Sequence, residues 1–565
     1  MILTRKQTMR KAIITLSLIF PLCAFAQQQE TERDLGNKEY VIVKDYKPVL
    51  AESSKISDMP DADTSSVEAL PQTYAFESRK AETMYETSAI KAVKIKDEPL
   101  PKLYRAYLKA GGGNYDKYLG ELYINSLRSK KGSLGFTAKH LSGAPSFEDY
   151  NFAGYSNNLA RLDGRYFLDH ATISADLTYK RDAVHYYGYD KSDTALSLKD
   201  EDILQRFSDL GGRFAFQSNL LDSSKWNYKT VIQFSALSDN YSAKENEFIF
   251  EGGVFKRFNE TLAGIDLSLD FFSKTKASFE ELSLYTDLKR NILRFNPYIA
   301  LNRDKVRFKA GVGVEAETNY DAALHIFPRL DVLLPVSDGV LSLFAKVDGR
   351  VEKNNYHTIT AENPFVSAAS EMTTNTIRTF DVSGGANGTF ANDFSYTVYV
   401  GYQKFTDLQY FVMDSVRVNN FVLLYDDATR IHVHGELLYR ATEKFGLAFH
   451  ADQFSYNTDV QQYAWYRPST VLTLKADYNL KDKILVKAAL FGVGERYALK
   501  YVAGGTQEVS RLKPYLDANL GFEYRYSKIL SAFVNFNNLG FSGYQQWFGY
   551  PMEQLNVMGG ITYSF

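Results

Sequence analysis

The sequence closes on LNVMGGITYSF, Leu555 to Phe565, and the reading of this stretch decides the fold. Successive side chains of an extended strand point to opposite faces. Leu555, Val557, Gly559, Ile561, Tyr563 and Phe565 therefore share one face, and Asn556, Met558, Gly560, Thr562 and Ser564 share the other. The first face is apolar and ends in aromatic rings. The second is mostly polar or small. In a water-soluble protein a half-apolar strand with an open edge invites aggregation. The same strand is stable if it closes a barrel, where no edge is left.

The texture repeats upstream. In LKPYLDANLGFEYRY, Leu516, Ala518, Leu520, Phe522, Tyr524 and Tyr526 oppose Tyr515, Asp517, Asn519, Glu523 and Arg525. In TVLTLKADYNL, Leu472, Leu474, Ala476, Tyr478 and Leu480 oppose Thr473, Lys475, Asp477 and Asn479. In LARLDGRYF, Ala160, Leu162 and Tyr166 oppose Arg161, Asp163 and Arg165. Apolar toward lipid, polar toward a lumen and aromatic at the interface is the pattern of an outer-membrane strand. A soluble all-β protein alternates too. Against it stand the recurrence of strands of about ten residues without helices, and polar faces that carry both signs of charge, which only a wet interior tolerates.

Connection lengths give the count. Starting upward at Leu103, short turns fall at Ser129–Gly132, Asp169–His170, Asn219–Ser224, Asn259–Glu260, Asn302–Lys305, Val336–Gly339, Ala391–Phe394, Ala441–Lys444, Leu480–Lys483 and Ser527–Lys528. The long connections, such as Ser142–Asn158, Lys353–Asn375 and Phe541–Glu553, all fall at the opposite end. This predicts an all-β protein, a transmembrane antiparallel β-barrel of about 22 strands over residues 103–565, closed by the strand that ends in Phe565. Thr275–Arg290 reads as an outer loop or a further hairpin, and Leu408–Asp427 as a hairpin standing above the membrane.

The opening residues agree. Arg5, Lys6, Arg10 and Lys11 precede an apolar run, Ala12 to Cys23, and Ala24-Phe25-Ala26 forms a small-residue cleavage site. Residues 1–26 are read as a signal peptide, too short to span as a helix. Cys23 is the only cysteine, so a mature chain has neither disulfides nor thiolate metal sites. Charge is balanced, 65 basic against 67 acidic residues, which argues against a nucleic-acid partner.

KAGGGNYDKYLGELYINS, FVLLYDDATR, AWYRPSTVLTLKADYNLKDKI and the run from Leu516 to Phe565 resemble the barrel of TonB-dependent receptors. The resemblance implies the outer membrane of a Gram-negative bacterium, lipid contact and a periplasmic N-terminus. By likeness to outer-membrane proteins, the terminal Phe565 strand implies recognition by their assembly machinery. The family carries a folded plug longer than Gln27–Lys102, the segment that precedes the barrel here. That segment is polar and reads as partly disordered around Met59–Thr73. Tyr40, Val41, Ile42 and Val43 resemble a TonB box, an extended piece that adds to a partner's sheet edge. A plain strand, or contact with another periplasmic protein, is the alternative. An empty barrel of this width would be a large hole. Gln27–Lys102 is therefore expected to occupy much of the lumen and to pair with lumen-facing Arg161, Arg165, Lys346, Asp348 and Arg350.

No Walker, G-x-S-x-G or H-E-x-x-H motif is present, so no enzyme is predicted. One group stands out. RIHVHGELLYR puts His432, His434, Glu436 and Arg440 on the polar face, and FGLAFHADQF does the same for His450 and Asp452. Pairing across the tight turn near Glu443 sets His434 opposite Asp452 and Glu436 opposite His450. Imidazole and carboxylate suit divalent zinc, copper, nickel or iron; cross-strand hydrogen bonds between lumen polar groups are the other reading. The tryptophans of AWYRP and YQQWFGYP suit an interface girdle or a sugar or peptide ligand. Two functions remain open at this point. One is transport, or gated passage of a solute across the outer membrane. The other is a non-transporting barrel that scaffolds envelope partners through its N-terminal segment and outer loops.

Overall fold

Period-two alternation makes each segment from Ala106 onward a strand with one apolar and one polar face. The structure, a computed structural model, describes residues 103–189, 198–218, 225–275, 288–303, 305–318, 322–391, 393–442, 444–502 and 506–565. The expected signal peptide over residues 1–26, Gln27–Lys102 with Tyr40–Val43, and the connection 276–287 lie outside the described residues.

Twenty-two strands form one antiparallel sheet, from Ala106–Gly113 to Asn556–Ser564. Each barrel strand pairs with the next along the chain. The last pairs with the first, from Tyr107–Ser564 to Gly113–Met558, and Phe565 and Ala106 exchange backbone hydrogen bonds of 2.9 Å. The sheet is a closed barrel. Along this seam the strands run close: a Cβ on Gly113 would collide with the Val557 carbonyl, and one on Gly560 with that of Ala110.

The faces follow the alternation. Ile561, Tyr563 and Phe565 point outward and are exposed, while Thr562 on the other face is buried. Turns at one end are tight. The long connections all lie at the other end, the outer one in barrels of this kind. The upper edge of the lipid belt is visible in strand Phe445–Thr458. Leu447, Phe449 and Ala451 face outward low in the strand, and Gln453, Ser455 and Asn457 face outward above them, where Phe454 and Tyr456 turn inward. No described helix is long and apolar enough to cross a membrane.

Three details bear on the expectations. A bulge lies opposite Asp348–Arg350: the register steps from Asp348–Asp381 to Arg350–Arg378, so the extra residue belongs to strand Thr376–Phe390. Val351 is buried against Phe272, Ile292 and Phe327, while Arg350, at the same parity as Lys346 and Asp348, lies 3.4 Å from Glu352. The expected hairpin over Leu408–Asp427 is formed, paired from Leu408–Asp426 to Met413–Phe421, and both its faces are covered: Tyr410, Phe411, Val412 and Met413 are consecutive and all buried. Trp465 and Trp547 form no girdle or open ligand surface, because both are buried in a core above the barrel. Only Trp226 is exposed, beside Phe258 at the short-turn end.

That core gathers the outer connections into a cap. It takes Tyr187, Ala243, Tyr356, Ile359, Phe411, Phe421, Trp465, Ala498, Trp547 and Tyr550, drawn from several of the described long connections. Large aromatic rings drive the collapse, each burying about 150–250 Å².

Candidate functional site

The cap is one candidate, and its pieces are locked by polar bonds as well as packing. The helix Tyr356–Glu362 is capped by Asn355 and held by Glu245, whose carboxylate accepts from Tyr356 N–H at 2.7 Å and His357 N–H at 3.0 Å. The Tyr356 hydroxyl donates to Asp239 Oδ2 at 2.7 Å. Lys274 donates to the Ala368 carbonyl at 2.8 Å, and Arg290 to that of Met372. Burial raises the Asp239 carboxyl above its ordinary range. It also holds the hydroxyls of Tyr356 and Tyr550 far above the ordinary phenol value, so both stay neutral donors.

At the centre Tyr550 stacks on Phe365 at 3.7 Å and meets Tyr187 edge-on at 4.8 Å. Its hydroxyl donates to the Asn419 carbonyl at the hairpin tip. Asn419 donates on to the Tyr186 carbonyl at 2.7 Å, and Tyr187 donates to the Pro551 carbonyl at 3.0 Å. Gly188 makes room for the ring, since a Cβ there would lie 2.5 Å from it. Val366 bridges to Phe421, tying the helical connection to the hairpin.

Below the cap, the wall carries paired charges. Glu315 accepts from Arg294 at 3.3 Å, from Arg329 at 2.9 Å and from Val351 N–H at 2.9 Å. Arg329 also reaches Asp348 at 3.2 Å, and Arg161 pairs with Asp176 at 3.6 Å. Partners for several lumen charges are thus supplied by the barrel itself.

The second candidate is the histidine wall. Register sets His434 opposite Asp452, Glu436 opposite His450, and Tyr399 opposite His434. His432 Nε2 and His434 Nδ1 lie 2.8 and 2.7 Å from the same atom, Asp452 Oδ1. The three donor atoms fit within 4.8 Å of one another. Aromatic rings fix both imidazoles: Phe454 stacks on His432 at 4.5 Å and Tyr399 on His434 at 4.8 Å. The Tyr399 hydroxyl lies 3.4 Å from His432 Nδ1. Glu436 and His450 form a separate pair at 3.1 Å. The five predicted residues therefore divide into a cluster of three and a pair. Tyr399 and Phe454 were missed by sequence reasoning, although alternation along the strands on either side puts both on the polar face. Nothing in the sequence flagged Asp239, Glu245 or Lys274, whose partners are distant in the chain.

No protein-family model and no curated protein matches the sequence. Solved structures do. The FrpB iron transporter from Neisseria meningitidis is 9% identical, with a TM-score of 0.65 over 82% of this chain and 82% of that one. The ferripyoverdine receptor of the outer membrane of Pseudomonas aeruginosa, bound to ferripyoverdine, is 11% identical, with a TM-score of 0.60 over 83% of this chain and 72% of that one. The siderophore receptor PirA from Acinetobacter baumannii is 10% identical, with a TM-score of 0.62 over 81% and 80%. Identity this low carries the fold and nothing finer. The closed barrel, its apolar belt and these neighbours agree that the chain is an outer-membrane protein with the 22-stranded barrel fold of the TonB-dependent receptors.

Proposed function

We propose that this protein is a gated outer-membrane transporter, in which a solute crosses the lumen only when the cap opens. The observation that carries this reading is a wide barrel, lined by charges, whose outer end is covered by separate connections rather than by the wall itself. Each connection is rooted on its own pair of strands, so the cap can part while the barrel stays closed. The neighbours named as an iron transporter and siderophore receptors support a role in uptake of this general kind. In this reading Tyr40–Val43 meets TonB, Gln27–Lys102 blocks the lumen from the periplasm, and the strand ending in Phe565 is what the assembly machinery engages.

One observation favours a second reading. The cap core is continuous and aromatic, which suits a permanently shut barrel that scaffolds partners. Conductance in planar bilayers separates the two. The mature protein is compared with a form lacking Gln27–Lys102, a Tyr550→Ala form with a loosened cap, and the two changes together. Transport predicts a closed mature protein and large steps when both barriers are weakened. If every form stays closed, the scaffold reading replaces it.

A further inference from the structure

We infer that His432, His434 and Asp452 form a binding site for a divalent transition-metal ion on the lumen wall. The inference is independent of the transport reading, since a scaffold could hold the same ion.

Three observations carry it. First, two imidazole nitrogens and one carboxylate oxygen converge on one spot within 4.8 Å, drawn from two adjacent strands. A single oxygen, Asp452 Oδ1, faces both nitrogens at 2.7 to 2.8 Å. Zinc bonds of about 2.0–2.2 Å to such donors need only small side-chain shifts from this arrangement. Second, the ligands are oriented in advance. Ring stacking by Phe454 and Tyr399 restrains both imidazoles. Gly401, opposite His432, adds no side chain to crowd the site. Third, an outer partner is in place. A histidine that binds metal through Nε2 donates its Nδ1–H to an acceptor, which fixes its tautomer. Here the Tyr399 hydroxyl lies 3.4 Å from His432 Nδ1.

The donor set, two nitrogens and one oxygen, suits zinc, copper, nickel or ferrous iron over calcium or magnesium. With three protein ligands the ion keeps a position for water or a solute group, and the ligands are partly exposed, 14 to 23%. Neutral histidines and one carboxylate leave a bound divalent ion with net positive charge. Arg430 on the same strand face donates to Gln403 at 2.6 Å and to Tyr456 at 3.2 Å rather than to Asp452.

The test uses the full mature chain in detergent, without a polyhistidine tag, titrated with zinc alone by calorimetry. The expected result is one zinc per chain. His432→Ala, His434→Ala and Asp452→Asn should each weaken binding at least about tenfold, as should Tyr399→Phe through the second ring nitrogen. His450→Ala, outside the cluster, should bind as the parent does. Should the alanine variants fail to fold, cobalt bound to the parent must still show the intense visible absorption of a four-coordinate ion. Absence of zinc binding by the parent, unchanged affinity in the His432 and His434 variants, equal loss in His450→Ala, or cobalt without that absorption would each overturn the assignment.

Discussion

Replacing Tyr550 by alanine should unlock the cap and leave the barrel intact. The ring is 2% exposed and lies where its own connection meets three others. Removing a buried ring of this size costs about 3–5 kcal/mol when the surroundings cannot collapse. Collapse is hindered here, because the neighbours on each side are themselves large rings, Phe365 and Tyr187. At about 1.4 kcal/mol per factor of ten, the open form of the cap should gain roughly two to three and a half powers of ten. Hydrogen exchange reads this directly. The amides of Ser367 and Phe421, which bond across two cap pieces to Phe421 and Phe365 carbonyls, should exchange faster by that factor. Amides in the lower strands should not change, nor should the temperature at which the barrel loses its compact mobility in detergent gels. Gly188→Ala should act in the same direction, because its new methyl must displace the Tyr550 ring. Unchanged exchange at Ser367 and Phe421 would refute the reasoning. So would equal acceleration in cap and barrel, which would make them one cooperative unit.

Three further outcomes are expected. Glu315→Ala takes the buried carboxylate from Arg294, leaves Arg329 with Asp348 alone, and should cost about 3 kcal/mol, read as an earlier loss of the compact gel form, with Glu315→Gln recovering part of it. Phe449→Arg places a cation on the lipid face and should cost about 2–4 kcal/mol, whereas Ser455→Arg, on the same face above the belt, should stay within about 0.5 kcal/mol. If the two cost the same, the upper edge of the membrane lies elsewhere. Burial raises the Asp239 carboxyl, so its contribution to cap stability is full below its unfolded value and lost as pH rises through its folded value. Protease resistance of the cap should therefore improve as pH falls from neutral into the carboxylate range, and that slope should be smaller in Asp239→Asn.

The barrel was legible because membrane strands write themselves twice, in alternation and in connection length. Finer detail was not legible: the bulge opposite Asp348–Arg350 takes an extra residue into strand Thr376–Phe390, and nothing in TIRTFDV announces it. The histidine register was readable across a tight turn, since one fixed point and a period of two determine every rung. The cap was not readable. Its aromatic residues were visible in the long connections, but Tyr550, Phe365 and Tyr187 are far apart in sequence, and only three-dimensional closure makes them neighbours. Aromatic loop residues looked like a girdle because nothing local separates a ring that faces lipid from one that faces another loop.

The seam between Ala106–Gly113 and Asn556–Ser564 has a consequence for how the wall could fail. Every other barrel ladder joins segments adjacent in the chain, so each can re-form locally after a fluctuation. The seam joins Tyr107 to Ser564, and its rungs include Gly111 with Gly560 and Gly112 with Gly559. Cross-strand side-chain pairs add about 0.2–1 kcal/mol each, and these glycine rungs add none. At these two rungs the one non-local joint is held by backbone hydrogen bonds without a side-chain pair. Under lateral tension the ring should part there first and become an open ribbon, with its lumen continuous with the surrounding lipid.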